Sequence, residues 1–302
     1  MEILQGEAVT LAVWGVAGLS VLLTIVGAVV LAKRWRRSRF AEYGFEIKEF
    51  ALPQDGLVRY AQWLHPKERA KSVSQEHVNA WRQWVREGDT VIDIGAHTGD
   101  STLPLALAAG RSGCVFAFEP NPYVYKILLK NSVLNPAKTN IVPLNFAATE
   151  RDGVYTFHYS DGAYCNGGFL SQISDQGHKH RQPLEVHGRN LCDYLSREYP
   201  DRLPRLSFIK VDTEGYDRQV LLSLLDLIKK YRPVIACEVY KRLTRNEREA
   251  MYDVLAQAGY CCFKLGEGSD LQGEAVERDG MENWEHFDIL ALPREKVQRA
   301  AA

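Results

Sequence analysis

Val91-Ile92-Asp93-Ile94-Gly95-Ala96-His97-Thr98-Gly99-Asp100 is the stretch on which the reading of this chain turns. Val91 to Ile94 is an apolar run interrupted only by Asp93, as expected of a strand buried in a parallel sheet. It leads straight into a loop with glycines four apart, Gly95 and Gly99, where the backbone can turn sharply and let a ligand come close. Ser101 to Ala109 reads as a helix, so a helix N-terminus would meet that ligand.

Twenty residues beyond Gly99, Glu119 ends a second apolar run in Phe116-Ala117-Phe118-Glu119-Pro120-Asn121. An acidic side chain at that strand tip can accept hydrogen bonds from both hydroxyls of an adenosine ribose. Dinucleotide sites carry G-x-G-x-x-G in the first loop, whereas this loop reads D-x-G-x-x-x-G and has no pyrophosphate to cradle. The pairing of loop and glutamate therefore favours S-adenosylmethionine over NAD. Each part alone is weak, because a strand-terminal glutamate is often merely solvated.

Downstream, short apolar runs alternate with helical stretches, the pattern of βα units feeding a mostly parallel sheet. Strands are expected at 91–94, 114–118, 141–144, 207–211, 233–239, 260–265 and 287–292, with an additional, partly exposed strand at 153–159. Helices are expected at 122–134, 217–230 and 246–258. Upstream, residues 40–89 show no convincing strand series, and Pro53 and Pro66 break any long helix. Ser74 to Glu87 reads as a helix with Val78, Trp81 and Val85 on one face, packed on the domain as a cap. Residues 293–302 read as a solvated tail.

Taken together these motifs resemble the FkbM-type methyltransferase family, within the class I S-adenosylmethionine-dependent fold. The matching stretches are V-I-D-I-G-A-H-T-G, F-E-P-N-P-Y, L-N-F-A-A-T-E-R-D-G, F-I-K-V-D-T-E-G-Y-D and P-V-I-A-C-E, spread over roughly residues 90 to 264. The I-K-V-D-T-E-G-Y-D block with the later strand ending in Glu238 is the specific part. The resemblance implies an α/β, Rossmann-like fold with a seven-stranded, mostly parallel sheet and helices on both faces. It also implies that Asp93, Gly95, His97, Thr98 and Gly99 shape the methionine and sulfonium pocket. Glu119 and Asn121 would serve the ribose, with Asn145 to Ala148, including Ala147, beside the adenine. The family usually has a glycine in the helix after the D-x-E-G block, and Gln219 to Leu225 contains none.

Methyl transfer is an in-line displacement at a sulfonium carbon, so alignment of donor and acceptor supplies much of the rate. A neutral hydroxyl is a poor nucleophile and benefits from a base. Asp212 and Glu214 stand at the C-terminal edge of their strand, where open α/β sheets bind ligands, and Glu238 reaches the same edge from the next. Asp212 is nominated as orienting or basic, with Glu214 and Glu238 positioning the acceptor. The three carboxylates could alternatively hold Mg²⁺, or Asp212 could simply pair with Lys210; no metal is assigned. His178, His180 and His187 invite a metal reading too, but their polar setting reads rather as a flexible insertion over the pocket, spanning 161–190.

From Ala8 to Ala32 no residue is charged, and the run ends in Lys33-Arg34-Trp35-Arg36-Arg37. The sequence therefore predicts a single-pass membrane helix over 8–32, preceded by a short tail, with the N-terminus outside and the catalytic domain cytoplasmic. Residues 33–89 would form a basic juxtamembrane segment and helical cap, and 90–292 the methyltransferase domain. A composition of 46% hydrophobic and 25% charged residues excludes a disordered or fibrous class. A net charge of −1 gives no general attraction to nucleic acid. The six cysteines lack C-x-x-C spacing and read as reduced structural thiols.

The expected activity is thus O-methylation of a sugar, glycan, lipid-linked or small-molecule hydroxyl near a membrane. The alternatives are N- or protein methylation, and a membrane-tethered pseudoenzyme that binds cofactor as a scaffold. The Asn/Asp-Pro-Pro-Tyr loop of many N-methyltransferases is replaced here by Asp212-Thr213-Glu214-Gly215. Intact acidic groups at the ribose position and at the tip bearing Asp212 argue against the scaffold.

Overall fold

A computed structural model describes residues 23–31, 42–159, 169–170, 182–266 and 272–301. The chain divides into two units, 1–41 and 42–302. In the first, the described residues form one helical stretch over 23–31, about 13 Å at 1.5 Å per residue against a bilayer core of about 30 Å. Among the described residues no helix is long and apolar enough to cross a membrane. This finding overturns the expected single-pass span and the localisation built on it; the remainder of 8–32 lies outside the described residues.

The second unit is built on a mixed eight-stranded sheet, and its frame follows from buried strand sequences. The strands are β3 (Thr90–Ile94), β4 (Cys114–Phe118), β5 (Ile141–Leu144), β10 (Leu206–Val211), β11 (Val234–Val239), β12 (Tyr260–Leu265), β13 (Gln272–Ala275) and β14 (Phe287–Pro293). Their order is β13-β12-β14-β11-β10-β3-β4-β5. The strands from β11 to β5 run parallel, while β14, β12 and β13 add antiparallel pairs. The expected seven strands are all present, and the eighth is β13, which forms within the polar connection before β14. Alternate residues feed cores on both faces: Ile92, Phe116 and Ile209 on one side, Val91, Val115 and Phe208 on the other.

Helix α2 (Thr102–Ala109) is buried along its whole length. Helix α3 (Pro122–Ser132) starts with Pro122 at its first position and is capped by the Asn121 side chain, which accepts from the Tyr123 N–H. The single helix expected over 217–230 is two, α5 (Asp217–Ser223) and α6 (Leu225–Tyr231). At the break the Val220 carbonyl accepts both from the Ser223 hydroxyl at 2.7 Å and from the Leu224 N–H at 3.1 Å. Helix α7 (Arg245–Gln257) opens with a capping box between Thr244 and Glu247.

Two further sheets lie outside this frame. The strand at 153–159 is β7 (Gly153–Tyr159), which pairs with β8 (Phe169–Leu170) and β9 (Gln182–Arg189); β6 (Ala147–Ala148) flanks β9. His187 sits in β9 opposite Val154, whereas His178 and His180 lie outside the described residues. A hairpin of β1 (Phe45–Leu52) and β2 (Gly56–Trp63) precedes helix α1 (Gln75–Trp81), so residues 40–89 do contain strands. The supposed tail is helix α8 (Arg294–Ala301), tied down where Arg232 donates to Glu295.

Two amide side chains dock the hairpin. Asn131 accepts from Ala61 N–H at 2.6 Å while its Nδ2 donates to the carbonyls of Ala61 and Thr98. Asn135 makes the same reciprocal pair with Arg59, at 2.9 and 2.8 Å. Each amide thus replaces a neighbouring strand. Elsewhere Gly95, at φ +80°, brings the tip of β3 against β10 so closely that an added Cβ would lie 1.8 Å from the Asp212 carbonyl oxygen.

Two substitutions test this frame by urea unfolding. Asn131→Ala leaves buried main-chain groups unpaired and is expected to cost about 1–3 kcal/mol or more of stability. Gly95→Ala, which combines a backbone collision with a left-handed conformation, is expected to cost about 3 kcal/mol or more. Unchanged midpoints for both would contradict the docking and the close approach.

Candidate active site

The C-terminal ends of β3, β4, β10 and β11 open into one cavity of about 1080 Å³. Gly95 and Glu119 line it together, on the same side of the sheet edge as Asp212, Glu214 and Glu238. His97, Ala147 and Ala148 also reach it. Five of the sequence-predicted cofactor residues brace the site from behind instead. Asp93 is fully buried, with Oδ2 accepting from the Ser101 and Thr102 hydroxyls at 3.0 and 2.6 Å. Thr98 shares a 2.6 Å hydrogen bond with the Tyr60 hydroxyl of the hairpin. Gly99 packs against Leu128 of α3. Asn121 caps α3, and Asn145 donates to the carbonyls of Glu119 and Pro120, fixing the turn after β4.

Glu119 provides the test of fit for a nucleoside. One carboxylate oxygen accepts from His97 N–H at 3.1 Å and the other from Asn121 N–H at 2.8 Å. A carboxylate offers about four lone-pair sites, so acceptor capacity remains on a side chain that faces the cavity. Burial pushes its pKa up to about 7 despite those two main-chain donors. The Gly95 turn supplies close backbone approach beside it, and His97, at φ +49°, presents a buried Nε2 with no hydrogen-bond partner among the described residues. The residues present therefore fit S-adenosylmethionine.

Lys210 holds the other wall in place. Its ammonium lies 2.9 Å from Asp212 Oδ2 and 3.9 Å from Asp93 Oδ1. Burial opposes its charge, yet the Asp212 and Asp93 carboxylates outweigh that and raise its pKa. Asp212 is thus ion-paired. Beyond it the chain turns through Glu214 at φ +55° and Gly215 at φ +108°. Asp217, the first residue of α5, pins this turn by accepting from the Thr213 and Gly215 N–H groups, both at 3.0 Å. Glu214 N–H donates to Glu238 Oε2 at 3.1 Å, so the tips of β10 and β11 are joined through a carboxylate. Burial, with Asp212 next, pushes Glu214 up to about 7, and the same causes raise Glu238 and Asp217.

Several residues in or behind the cavity wall carry no role in the sequence. Asp217 was visible at the end of the D-T-E-G-Y-D block, but nothing there shows that its carboxylate folds back onto the turn. The segment after β2 brings Lys71 to within 2.7 Å of Asp100 and 3.4 Å of Glu68 beside His97, and has no motif at all. His286, on the connection entering β14, also lines the cavity. Its position depends on the antiparallel pairing of β14 with β11, which places Phe287 opposite Val239. Among the described residues no group of three histidine, cysteine or acidic side chains is placed to hold a metal ion, and the five described cysteines are free thiols.

Residues 93–262 match the FkbM methyltransferase domain. Hexuronic acid methyltransferase AglP of Haloferax volcanii is 26% identical over 161 residues, covering 53% of this chain and 60% of that protein. Methyltransferase sdnD of Sordaria araneosa is 24% identical over 152 residues, 43% of this chain and 58% of that protein. The chain thus spans about three-fifths of the length of these curated relatives. Among solved structures, an FkbM methyltransferase from Methylobacillus flagellatus overlaps at a TM-score of 0.39 with 13% identity, over 70% of this chain and 49% of that one. The family model covers more than half of the sequence, and the protein belongs to the FkbM family of S-adenosylmethionine-dependent methyltransferases.

Proposed function

We propose that the enzyme O-methylates a hydroxyl of a sugar, glycan or small-molecule acceptor. The observation that carries this reading is the shared cavity, with Glu119 on one wall and Asp212, Glu214 and Glu238 on another. Such a layout separates a nucleoside end from a polar acceptor end. The hexuronic-acid specificity named for the Haloferax volcanii relative supports a sugar. The cavity mouth also carries exposed cations, Lys67, Arg69, Lys241 and Arg242, which suit a carboxylate-bearing acceptor. In this reading residues 90–292 form the catalytic unit, with α1 packed on it as a cap.

In this reading Glu119 accepts from the ribose hydroxyls and Ala147 and Ala148 border the adenine. Gly95 and His97 surround the methionine end, with Asp93, Thr98, Gly99, Asn121 and Asn145 holding those groups in position. When bound, S-adenosylmethionine supplies an electrophilic methyl group on a positively charged sulfur. Asp212, fixed by Lys210, orients the acceptor, and Glu214 and Glu238 accept hydrogen bonds from its remaining hydroxyls. Pre-alignment of this kind contributes the entropic part of the rate enhancement.

Ribose hydroxyls donate to Glu119 most strongly when it is ionised. A group with a pKa of about 7 in the free protein must lose its proton on binding below that pH, so affinity should rise between about pH 6 and 8. Isothermal titration of S-adenosylmethionine is expected to show this slope, with proton uptake by buffer at pH 6. In Glu119→Gln the slope should vanish, and Glu119→Ala should bind at least about tenfold more weakly, corresponding to about 1.4 kcal/mol. Equal binding by wild type and Glu119→Ala would remove the ribose assignment. Transfer of labelled methyl to D-glucuronic acid or a methyl glucuronoside tests the acceptor class; labelling confined to amines or protein would refute it.

A further inference from the structure

His286 stands beside Glu238 at the acceptor wall. Its Nε2 lies 3.6 Å from Glu238 Oε1, the oxygen left over when Oε2 accepts from Glu214 N–H. The ring lines the cavity and its side chain is about half exposed, at 51%. The connection that carries it is held rigidly. Arg248, buried on α7, donates from Nη1 to the carbonyls of Met281 and Trp284 and from Nη2 to that of Glu285, the residue before His286. The same guanidinium donates to the carbonyls of Tyr240 and Leu243, in the loop that follows Glu238's strand. One side chain therefore fixes both members of the pair relative to each other.

The geometry points to His286 as the general base of the methyl transfer, oriented by Glu238. This inference rests on the hydroxyl-acceptor reading above. Asp212 is a poor candidate for the same task because Lys210 occupies its Oδ2 at 2.9 Å and holds it as an ion pair. With Nε2 turned to Glu238, Nδ1 is the nitrogen that receives the proton. In the step, the acceptor O–H bond breaks and its proton passes to Nδ1. The freed oxygen pair forms a bond to the methyl carbon as the S–C bond breaks, with that electron pair staying on sulfur. One positive charge moves from sulfur to the imidazolium, where Glu238 faces it.

Several charged groups surround the ring. Glu238 faces it from β11, Asp288 from β14, and Glu285 precedes it; Asp212 and Glu214 lie on the neighbouring tip, with Lys241 and Arg242 on the loop after β11. Burial and then Asp212 raise Asp288, with His286 among the groups that draw it down.

The test uses the full chain with methyl glucuronoside as acceptor. His286→Asn is expected to lower kcat about 10²- to 10³-fold, with KM and S-adenosylmethionine affinity within about threefold. Added imidazole should restore part of the rate to His286→Ala, which a packing role would not allow. Glu238→Gln, which keeps an acceptor oxygen toward Nε2, is expected to retain more turnover than Glu238→Ala, which leaves the ring unoriented. Turnover that His286→Asn leaves unchanged overturns the inference alone. Absence of turnover by the wild-type enzyme on every hydroxyl probe overturns the O-methylation reading, and this inference with it.

Discussion

The approach of β3 to β10 at the sheet edge is the constraint from which the remaining architecture follows. Gly95 has no Cβ because the Asp212 carbonyl occupies that space, and Asp212 N–H donates to the Ile94 carbonyl at 3.0 Å just behind it. Asp93, fully buried, and Asp212, whose side chain stays open to the cavity, thereby flank one ammonium. Lys210 between them makes the arrangement tolerable, since an unpaired buried charge would be far more costly than the pair it belongs to. A donor site on one side and an acidic wall on the other both inherit their positions from this contact.

The acidic wall has its own electrostatic logic. Asp212, Glu214, Glu238, Asp217 and Asp288 crowd one end of the sheet, and burial with mutual repulsion raises several of them together. Main-chain N–H groups absorb part of the strain: those of Thr213 and Gly215 go to Asp217 and that of Glu214 goes to Glu238. A left-handed Glu214 is therefore stabilised from both sides of its peptide, as positive-φ non-glycine residues at functional sites commonly are.

What the sequence made legible was local. The strands at 114–118, 141–144, 153–159 and 260–265 are found with the expected bounds, because each is a short apolar or alternating run with clear ends. Glu119 and Gly95 could be paired in advance because loop and strand tip are close in sequence. The β1–β2 hairpin escaped because β1 is largely exposed and β2 is held by Asn131 and Asn135, some seventy residues away. The N-terminal apolar run carried a strong compositional signal for a membrane span, yet the helix described there covers only 23–31. Residues such as Lys71 and His286 reach the cavity through connections without motif, so only tertiary pairing reveals them.

The bonding pattern of Arg248 is indifferent to side-chain identity. All five of its N–H donors go to main-chain carbonyls, those of Tyr240, Leu243, Met281, Trp284 and Glu285. A carbonyl is the same in every residue, so the clamp constrains where two mouth-forming loops run without dictating which side chains they display. Relatives could exchange Lys241, Arg242 or Glu285 for other groups, retuning which acceptor enters, while the path of both loops stays fixed. Diversification of substrate is thereby uncoupled from the stability of the frame.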